Sequence, residues 1–292
     1  MRTAVDWKDY GVIATGGGEK LERWGGVVLL RPDPQIIWPA RTPLRDYRNI
    51  SAVYTREGGG GGWESEPSVP AEWQVSYKDM KLLVRLMGFK HTGVFPEQAV
   101  NWDIMSGLVK GAGRGINALN LFAYTGAASV SLAAAGATVT HVDAAKNMVE
   151  RAGENARLNG IDNIRYIIDD CAKFVAREIK RGRRYDAILM DPPSYGRGPS
   201  GELWKLEDNL FSFVSECVKL LSDDPLFFLV NSYTTGLQPT VLKNILQLNV
   251  GGRGEFDAYG LGLPTDEGIV LPCGASGIFV SGNKRANKEK KQ

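Results

Sequence analysis

The sequence predicts an α/β protein: a mostly parallel, doubly wound sheet with an antiparallel hairpin at one edge, preceded by a smaller β-rich part. Three observations predict it. From Ile116 to about residue 250, apolar β-type runs alternate with helical ones, as in strands joined by crossover helices. The last two β-like runs, EFDAYGLGL and GIVLPCGASGIFVS, have no helix between them, so they are expected to pair as a hairpin. Before about residue 90 the runs are short and set apart by glycine- and proline-rich turns, which suits hairpins rather than crossovers.

In the first part, residues 1–90, the candidate strands are YGVIAT, GGVVLL, QIIWPA, EWQVSY and KLLVRL. The glycine run Gly58–Gly62 reads as a linker, because the WESEPSVP behind it is poor helix material and a phosphate cradle needs a helix there. The larger part, 91–281, runs INALNLF (strand), AASVSLAAAG (helix), TVTHVD (β-branched strand) and KNMVERAGENARLNG, a charged amphipathic helix closed by Gly160. IRYIID, the helix CAKFVAREIKRG and the strand YDAILMD follow, then a long helix through LEDNLFSFVSECVKLL. The strand PLFFLVNSY and a helix near PTVLKNILQLN lead to the final hairpin.

At 292 residues, 43% hydrophobic and 23% charged, the chain can bury one large core and a second, smaller one. A net charge of +2 is too mild to mark a nucleic-acid binder, so any basic surface must come from local clustering. The start MRTAVDWKDYG lacks an apolar signal core and no apolar run approaches ~18 residues. Membrane spanning and export are therefore not expected, and a cytoplasmic location is. Cys171, Cys217 and Cys273 are scattered without metal-ligand or disulfide spacing, which fits a reducing compartment and no metal site.

Ligands of open α/β sheets sit beyond the carboxyl ends of the strands. The first such end reads LNLFAYTGAAS. It holds one glycine, Gly126, with Phe122 and Tyr124 where the other glycines of a dinucleotide turn would fall. So crowded a turn suits a nucleoside cofactor without a pyrophosphate, and the amides opening the Ala127 helix can receive a carboxylate. Asp143 ends the next strand, where it can accept from both ribose hydroxyls, cap the helix that follows, or do both. After the third strand, in IIDDCAKF, one of Asp169 and Asp170 can accept from an adenine amino group while the other caps the helix; Asp170 is favoured for the adenine. His141 and Cys171 read as core residues.

The fourth strand ends YDAILMDPPSYGRG, beside the first, so its tip faces the same cleft. Proline fixes φ and removes an amide donor, so Pro192 and Pro193 hold their neighbouring carbonyls in one orientation. Rigid acceptors serve to hold a planar nucleophile against an electrophile. Asp191 adds a carboxylate for amine recognition or proton acceptance, and Gly196 and Gly198 let the loop close over a substrate.

Together these residues resemble the class I S-adenosylmethionine-dependent methyltransferases, and within them the group of large-subunit ribosomal RNA methyltransferases with N-L-F-x-Y-T-G and D-P-P motifs. The resemblance runs from about Gly88 to Ser281 and rests on Asn120–Gly126, Asp143, Asp170 and Asp191–Pro193 in order and spacing. It implies a seven-stranded, Rossmann-like methyltransferase sheet with S-adenosyl-L-methionine as cofactor. Gly126 and its neighbours Phe122, Tyr124 and Thr125 would hold the methionine part, Asp143 the ribose and Asp170 the adenine. Asp191, Pro192 and Pro193 would face the methyl group and the target. Upstream, in FKHTGVFPEQAVNWDIM, the resemblance puts Phe95, Glu97 and Gln98 near the adenosine or methionine as a lid; Pro96-Glu97-Gln98 is equally good first-turn helix chemistry.

The family pattern breaks at one place. Relatives that make 5-methylcytosine carry a nucleophilic cysteine after the fifth strand, whereas this segment reads VNSYTTG. A hydroxyl is a poor substitute for a thiolate, so a nitrogen target is expected. Tyr195 can stack on a flipped base or pack on its own loop. Arg197, Trp204 and Lys205, in the loop PSYGRGPSGELWK, can contact RNA phosphate and bases, or be simply solvated. The expected partner is structured, ribosomal RNA, although no RNA-binding signature stands out in residues 1–90. The tail 282–292, basic and expected to be disordered, can add electrostatic attraction. Rival readings are a methyltransferase for protein or small molecules, a nicotinamide oxidoreductase, which the missing G-x-G-x-x-G disfavours, and a non-catalytic RNA-binding module.

Overall fold

Eight short strands open the chain in the computed structural model, which describes residues 1–57, 60–197 and 203–282. They are β1 (Arg2–Thr3), β2 (Tyr10–Gly16), β3 (Glu19–Trp24), β4 (Val27–Pro32), β5 (Ala52–Glu57), β6 (Gly60–Ser65), β7 (Trp73–Tyr77) and β8 (Met80–Val84). They belong to a first unit made of Met1–Asn101, Arg157–Gly160 and Leu261–Cys273. Strands β2 to β6 form one sheet in chain order. Neighbours run antiparallel except β4 and β5, which pair in parallel after a long connection through a single 3-10 turn, Leu44–Asp46. Strands β7 and β8 form a separate hairpin.

Two expectations for this part are corrected. QIIWPA is not a strand: Pro34 precedes it and Pro39 lies within it, and proline withholds the amides a ladder needs. Its carbonyls instead accept from the tight turn after β2, Gly18 N to Ile36 O (2.9 Å) and Gly17 N to Trp38 O (2.8 Å). The glycine run is no linker over Gly60–Gly62, which start β6; Gly61 is opposite Arg56, and a Cβ there would overlap the Tyr54 ring. Gly58 and Gly59 lie outside the described residues. Strand β3 carries Glu22, which is fully buried. It pairs with Arg31 and accepts from the Tyr10 hydroxyl at 2.6 Å. Burial alone would raise this carboxyl, but the Arg31 and Lys20 charges outweigh it and hold it at about 2.

Helix α1 (Ala99–Gly111) leads into the second unit, Trp102–Ala156, Ile161–Gly260 and Gly274 onward. Next come β9 (Asn117–Leu121), α2 (Ala127–Ala134), β10 (Thr138–Asp143), α3 (Lys146–Leu158), β11 (Ile164–Ile168), α4 (Cys171–Lys180) and β12 (Ala187–Met190). After them lie β13 (Tyr195–Arg197), β14 (Leu203–Lys205), α5 (Leu206–Val218), β15 (Phe227–Ser232), α6 (Pro239–Val250), β16 (Gly254–Pro264) and β17 (Val270–Ser281). The sheet order is β16-β17-β15-β12-β9-β10-β11, with β1 added to the outer end of β16. Strands β15, β12, β9, β10 and β11 are parallel, and β17 runs antiparallel to β15. The five residues between β16 and β17 are too few for a crossover, so these two form the expected antiparallel hairpin.

The central strands are apolar because helices cover both faces of a parallel sheet. Ala118, Leu119, Leu121, Ala187, Ile188 and Met190 are all fully buried. Leu119, Leu121, Ile188 and Met190 pack with Phe174 and Val175 of α4, Leu210 and Val214 of α5, and Leu242 and Leu246 of α6. Among the described residues, no helix is long and apolar enough to cross a membrane.

Candidate active site

The sheet order reverses at β9: the chain steps outward to β10 and β11, then returns to β12 on the other side. A ligand sits beyond the strand ends at such a reversal. There the second unit gathers Phe122–Gly126 after β9, Asp143 closing β10, Asp169 and Asp170 after β11, Asp191–Tyr195 after β12, and Asn231–Thr234 around the end of β15.

The first turn takes an unusual path. Phe122 and Tyr124, which stand where glycines were absent, adopt a glycine-like backbone with φ of +54° and +51°, and Gly126 follows at +84°. A left-handed bulky residue costs ~1–3 kcal/mol, so the surroundings must hold it. Phe122 N donates to Cys171 Sγ (3.3 Å), Tyr124 N to Asp143 Oδ2 (2.8 Å), and Asn155 Nδ2 to Thr125 O (2.9 Å). Gly126 is required twice over, since a Cβ would also stand 2.6 Å from the Ala152 Cβ. Beneath the turn, Asn120 Nδ2 donates to Ser129 Oγ (2.9 Å), which lies 3.0 Å from His141 Nδ1. His141 is fully buried; among the described residues its Nε2 has no partner. Burial lowers its pKa to about 4 and keeps it neutral.

Asp143 takes Tyr124 N on one oxygen and Ala145 N (2.9 Å) on the other. A carboxylate offers about four lone-pair sites, so this bracing leaves acceptor capacity on each oxygen. Of the acidic pair after β11, the cap of α4 is Asp170 and not, as the sequence reading implied, Asp169: Asp170 Oδ1 accepts from Lys173 N at 2.9 Å. Asp169 braces the Asp170 amide (2.9 Å) and pairs with Arg177. Sequence reasoning missed Ile168. It pairs with Asp143 in the β10–β11 ladder, so the two share a sheet face, and it is 51% exposed. The signal was an apolar residue ending an edge strand beside the acidic one.

The second turn is pinned from three sides. Trp204 Nε1 donates to Pro193 O (2.6 Å), Leu206 N to Ser194 O (3.0 Å), and Thr234 Oγ1 to Ser194 Oγ (2.8 Å). The segment read as a loop is instead a hairpin, β13 with β14, pairing Tyr195 with Lys205 and Gly196 with Trp204. Gly196 is therefore a strand residue, and Gly198 lies outside the described residues. Tyr195 is 60% exposed. Trp204 packs inward rather than standing free for RNA: its ring is 5.8 Å from Phe122 and 5.7 Å from Phe213, which are 5.7 Å from each other. Lys205 is exposed, with Nζ 3.8 Å from Asp208 Oδ2. Arg197 ends β13.

Where a nucleophilic cysteine would stand, Asn231 and Ser232 are buried and bound: Ser276 Oγ donates to Asn231 Oδ1 (2.7 Å) and Thr234 N to Ser232 Oγ (3.1 Å). Cys171 and Cys217 are buried, Cys273 lies in the first unit, and burial raises all three thiols above their ordinary range. Among the described residues no group of three His, Cys, Asp or Glu side chains could hold a metal.

Phe95, Glu97 and Gln98 belong to the first unit. Pro96–Gln98 is a single 3-10 turn opening α1, with Glu97 and Gln98 buried and Phe95 half-buried. Gln98 Oε1 accepts from Asn101 Nδ2 (2.8 Å), and Pro96 O from Trp7 Nε1 (3.0 Å). The tail residues 283–292 lie outside the described residues.

An open parallel sheet with a crowded first turn, an acidic second strand end and an Asp-Pro-Pro fourth defines a class, and comparison with known proteins agrees. The family model described as S-adenosylmethionine-dependent methyltransferase matches residues 52–206, and the chain belongs to that family. Among solved structures it is similar to the SAM-dependent methyltransferase from Agrobacterium tumefaciens, with 35% identity, a TM-score of 0.89, and 95% of this chain and 92% of that one covered. A putative methyltransferase solved with SAH shares the fold at 20% identity, with a TM-score of 0.74 over 94% of this chain and 76% of the other. The ribosomal RNA large subunit methyltransferase K/L of Shewanella frigidimarina is 33% identical over 146 residues, 49% of this chain and 20% of that protein. This chain thus spans about a fifth of the length of the curated relatives it matches.

Proposed function

We propose that this methyltransferase acts on a nitrogen of a base in structured RNA, ribosomal RNA first among candidates. The observation that carries the proposal is the Asp191-Pro192-Pro193 turn: stiff, rich in acceptors, without a cysteine, and followed by an exposed Tyr195. The names of the Shewanella and Vibrio relatives support the RNA half of the reading. An RNA substrate of that kind would put the reaction in the cytoplasm.

The donor set fits S-adenosylmethionine. The amides opening α2 beyond Gly126 suit the methionine carboxylate, with Phe122, Tyr124 and Thr125 fixing that turn. The spare lone pairs of Asp143 suit the ribose diol. Asp170 suits the adenine amino group through the oxygen not used in capping, and Ile168 offers the ring an apolar wall. When bound, the cofactor would supply an electrophilic methyl: the target nitrogen's lone pair would form the N–C bond, the C–S electron pair would stay on sulfur, and the proton lost from the methylated nitrogen would pass to Asp191 or to water. The protein's share is alignment, an effect that reaches ~7–11 kcal/mol in well-oriented systems. Asp191 and the Pro192 carbonyl accept the target N–H and turn its lone pair toward the methyl, and Tyr195 stacks on the extruded base.

The test is methyl transfer from labelled S-adenosylmethionine to unmodified large-subunit ribosomal RNA and, in parallel, to a protein extract. The expected product is an N-methylated nucleoside in the RNA digest. Label in protein alone would remove RNA as substrate, and 5-methylcytosine would remove the nitrogen.

A further inference from the structure

We infer that Trp204 is a positioning residue that selects which carbonyl of the Asp191-Pro192-Pro193 turn receives the target nitrogen. The inference rests on the reading of that turn as the place of methyl transfer to a nitrogen, and on nothing else about the target molecule. Two consecutive prolines present two carbonyls, and a planar amine needs one acceptor in a fixed place. Trp204 Nε1 donates to Pro193 O at 2.6 Å. Among the described residues no donor reaches the Pro192 carbonyl. One oxygen of the pair is thus spent inside the protein, and the other is left for a ligand.

The geometry of the hairpin makes this assignment rigid. Trp204 is opposite Gly196 in the β13–β14 ladder, so no side chain competes with the indole on that face. The Leu206 amide on Ser194 O closes the hairpin against the same turn. On its other side the indole packs against Phe122 and Phe213. Phe122 is the first left-handed residue of the turn after β9. One side chain therefore touches both turns of the site: a hydrogen bond fixes the target side, and ring contact the cofactor side. Loss of the indole N–H would free the Pro193 peptide to rotate while keeping the aromatic packing.

Trp204→Phe separates the two contributions, and sinefungin, the S-adenosylmethionine analogue with an amine in place of the sulfonium methyl, reads them without an RNA. Its amine takes the methyl's place, facing the acceptors of the turn, whereas S-adenosylhomocysteine has no group there. By calorimetry Trp204→Phe should weaken sinefungin about tenfold, ~1.4 kcal/mol, and change S-adenosylhomocysteine less than about twofold. Equal losses for both ligands would make Trp204 merely structural and overturn the proposal. So would unchanged affinity for both. A wild-type protein that binds neither ligand would sink the site reading itself, a distinct failure. Should the variant not fold, the wild-type protein still decides: the Trp204 indole proton should exchange slowly by NMR, and exchange at the rate of an open indole overturns the proposal.

Discussion

After β9 the chain bends through Phe122, Tyr124 and Gly126, all at positive φ; after the neighbouring β12 it bends through Pro192 and Pro193, whose rings set φ by themselves. The first turn stores strain, and side chains from other elements must oppose it: Asp143, Cys171 and Asn155 each bind its backbone. The second needs little help to stay stiff, and its outside contacts instead decide which way its carbonyls face. The difference teaches that one site can be made rigid by two devices with opposite vulnerabilities. A strained turn fails when its bracing is removed, and a proline turn when its orientation is lost.

The comparison can be broken most forcefully at Gly126. Gly126→Ala adds a left-handed alanine and an overlap with Ala152, together ~2–5 kcal/mol by thermal unfolding. A variant as stable as wild type would show that the first turn is not over-determined. Asp191→Ala should act on the chemistry instead. Turnover is expected to fall roughly hundredfold with S-adenosylhomocysteine affinity unchanged, and a matching loss of affinity would move Asp191 to the cofactor side.

The bracing under the first turn has a pH signature. Burial holds His141 at about 4 in the folded protein against an ordinary 6.5. Below pH 6.5 the unfolded chain therefore binds a proton that the folded one refuses, and stability falls as pH drops toward 4. Between pH 7 and 5 this site should cost about 2 kcal/mol. Denaturant unfolding of His141→Asn should show that much less slope, and an unchanged slope would refute the buried neutral imidazole. The smallest expected effect is at Tyr124. Tyr124→Gly removes about 1 kcal/mol of backbone strain, so its unfolding midpoint should stay near or above wild type while cofactor affinity falls with the lost ring. A large destabilisation would mean that the ring, rather than the Asp143 bond, holds the turn.

The parallel sheet was legible because its strands are apolar runs and its helices are amphipathic, so burial on both faces writes itself into composition. The β3, β5 and β6 strands were not. They carry Glu22, Arg56 and Gly60–Gly62, whose place in a ladder depends on partners far along the chain: Arg31 for Glu22, and the Tyr54 ring for Gly61. In the site, the acidic strand ends could be read as acceptors. Which member of Asp169 and Asp170 caps α4 could not, because both sit within reach of the helix start until the turn geometry chooses. The positive φ of Phe122 and Tyr124 was hidden for a related reason: local preference argues against it, and only the bracing imposes it. Trp204 stood in a segment read as a loop, so the register that turns its indole toward Pro193 was out of view.

The first unit is sewn shut with thread from the far end of the chain. Leu261 and Gly262 pair with β1, Asp266 N donates to Val12 O (2.9 Å), and the Glu267 carboxylate takes both the amide (2.8 Å) and the hydroxyl (2.9 Å) of Thr15. A ribosome delivers residues 1–101 early and 261–273 late, so most of the chain must emerge before this unit can reach its final contacts. Truncation before Leu261 leaves it without that closure, however intact its own strands, and the closing of that long loop belongs to the slow steps of folding.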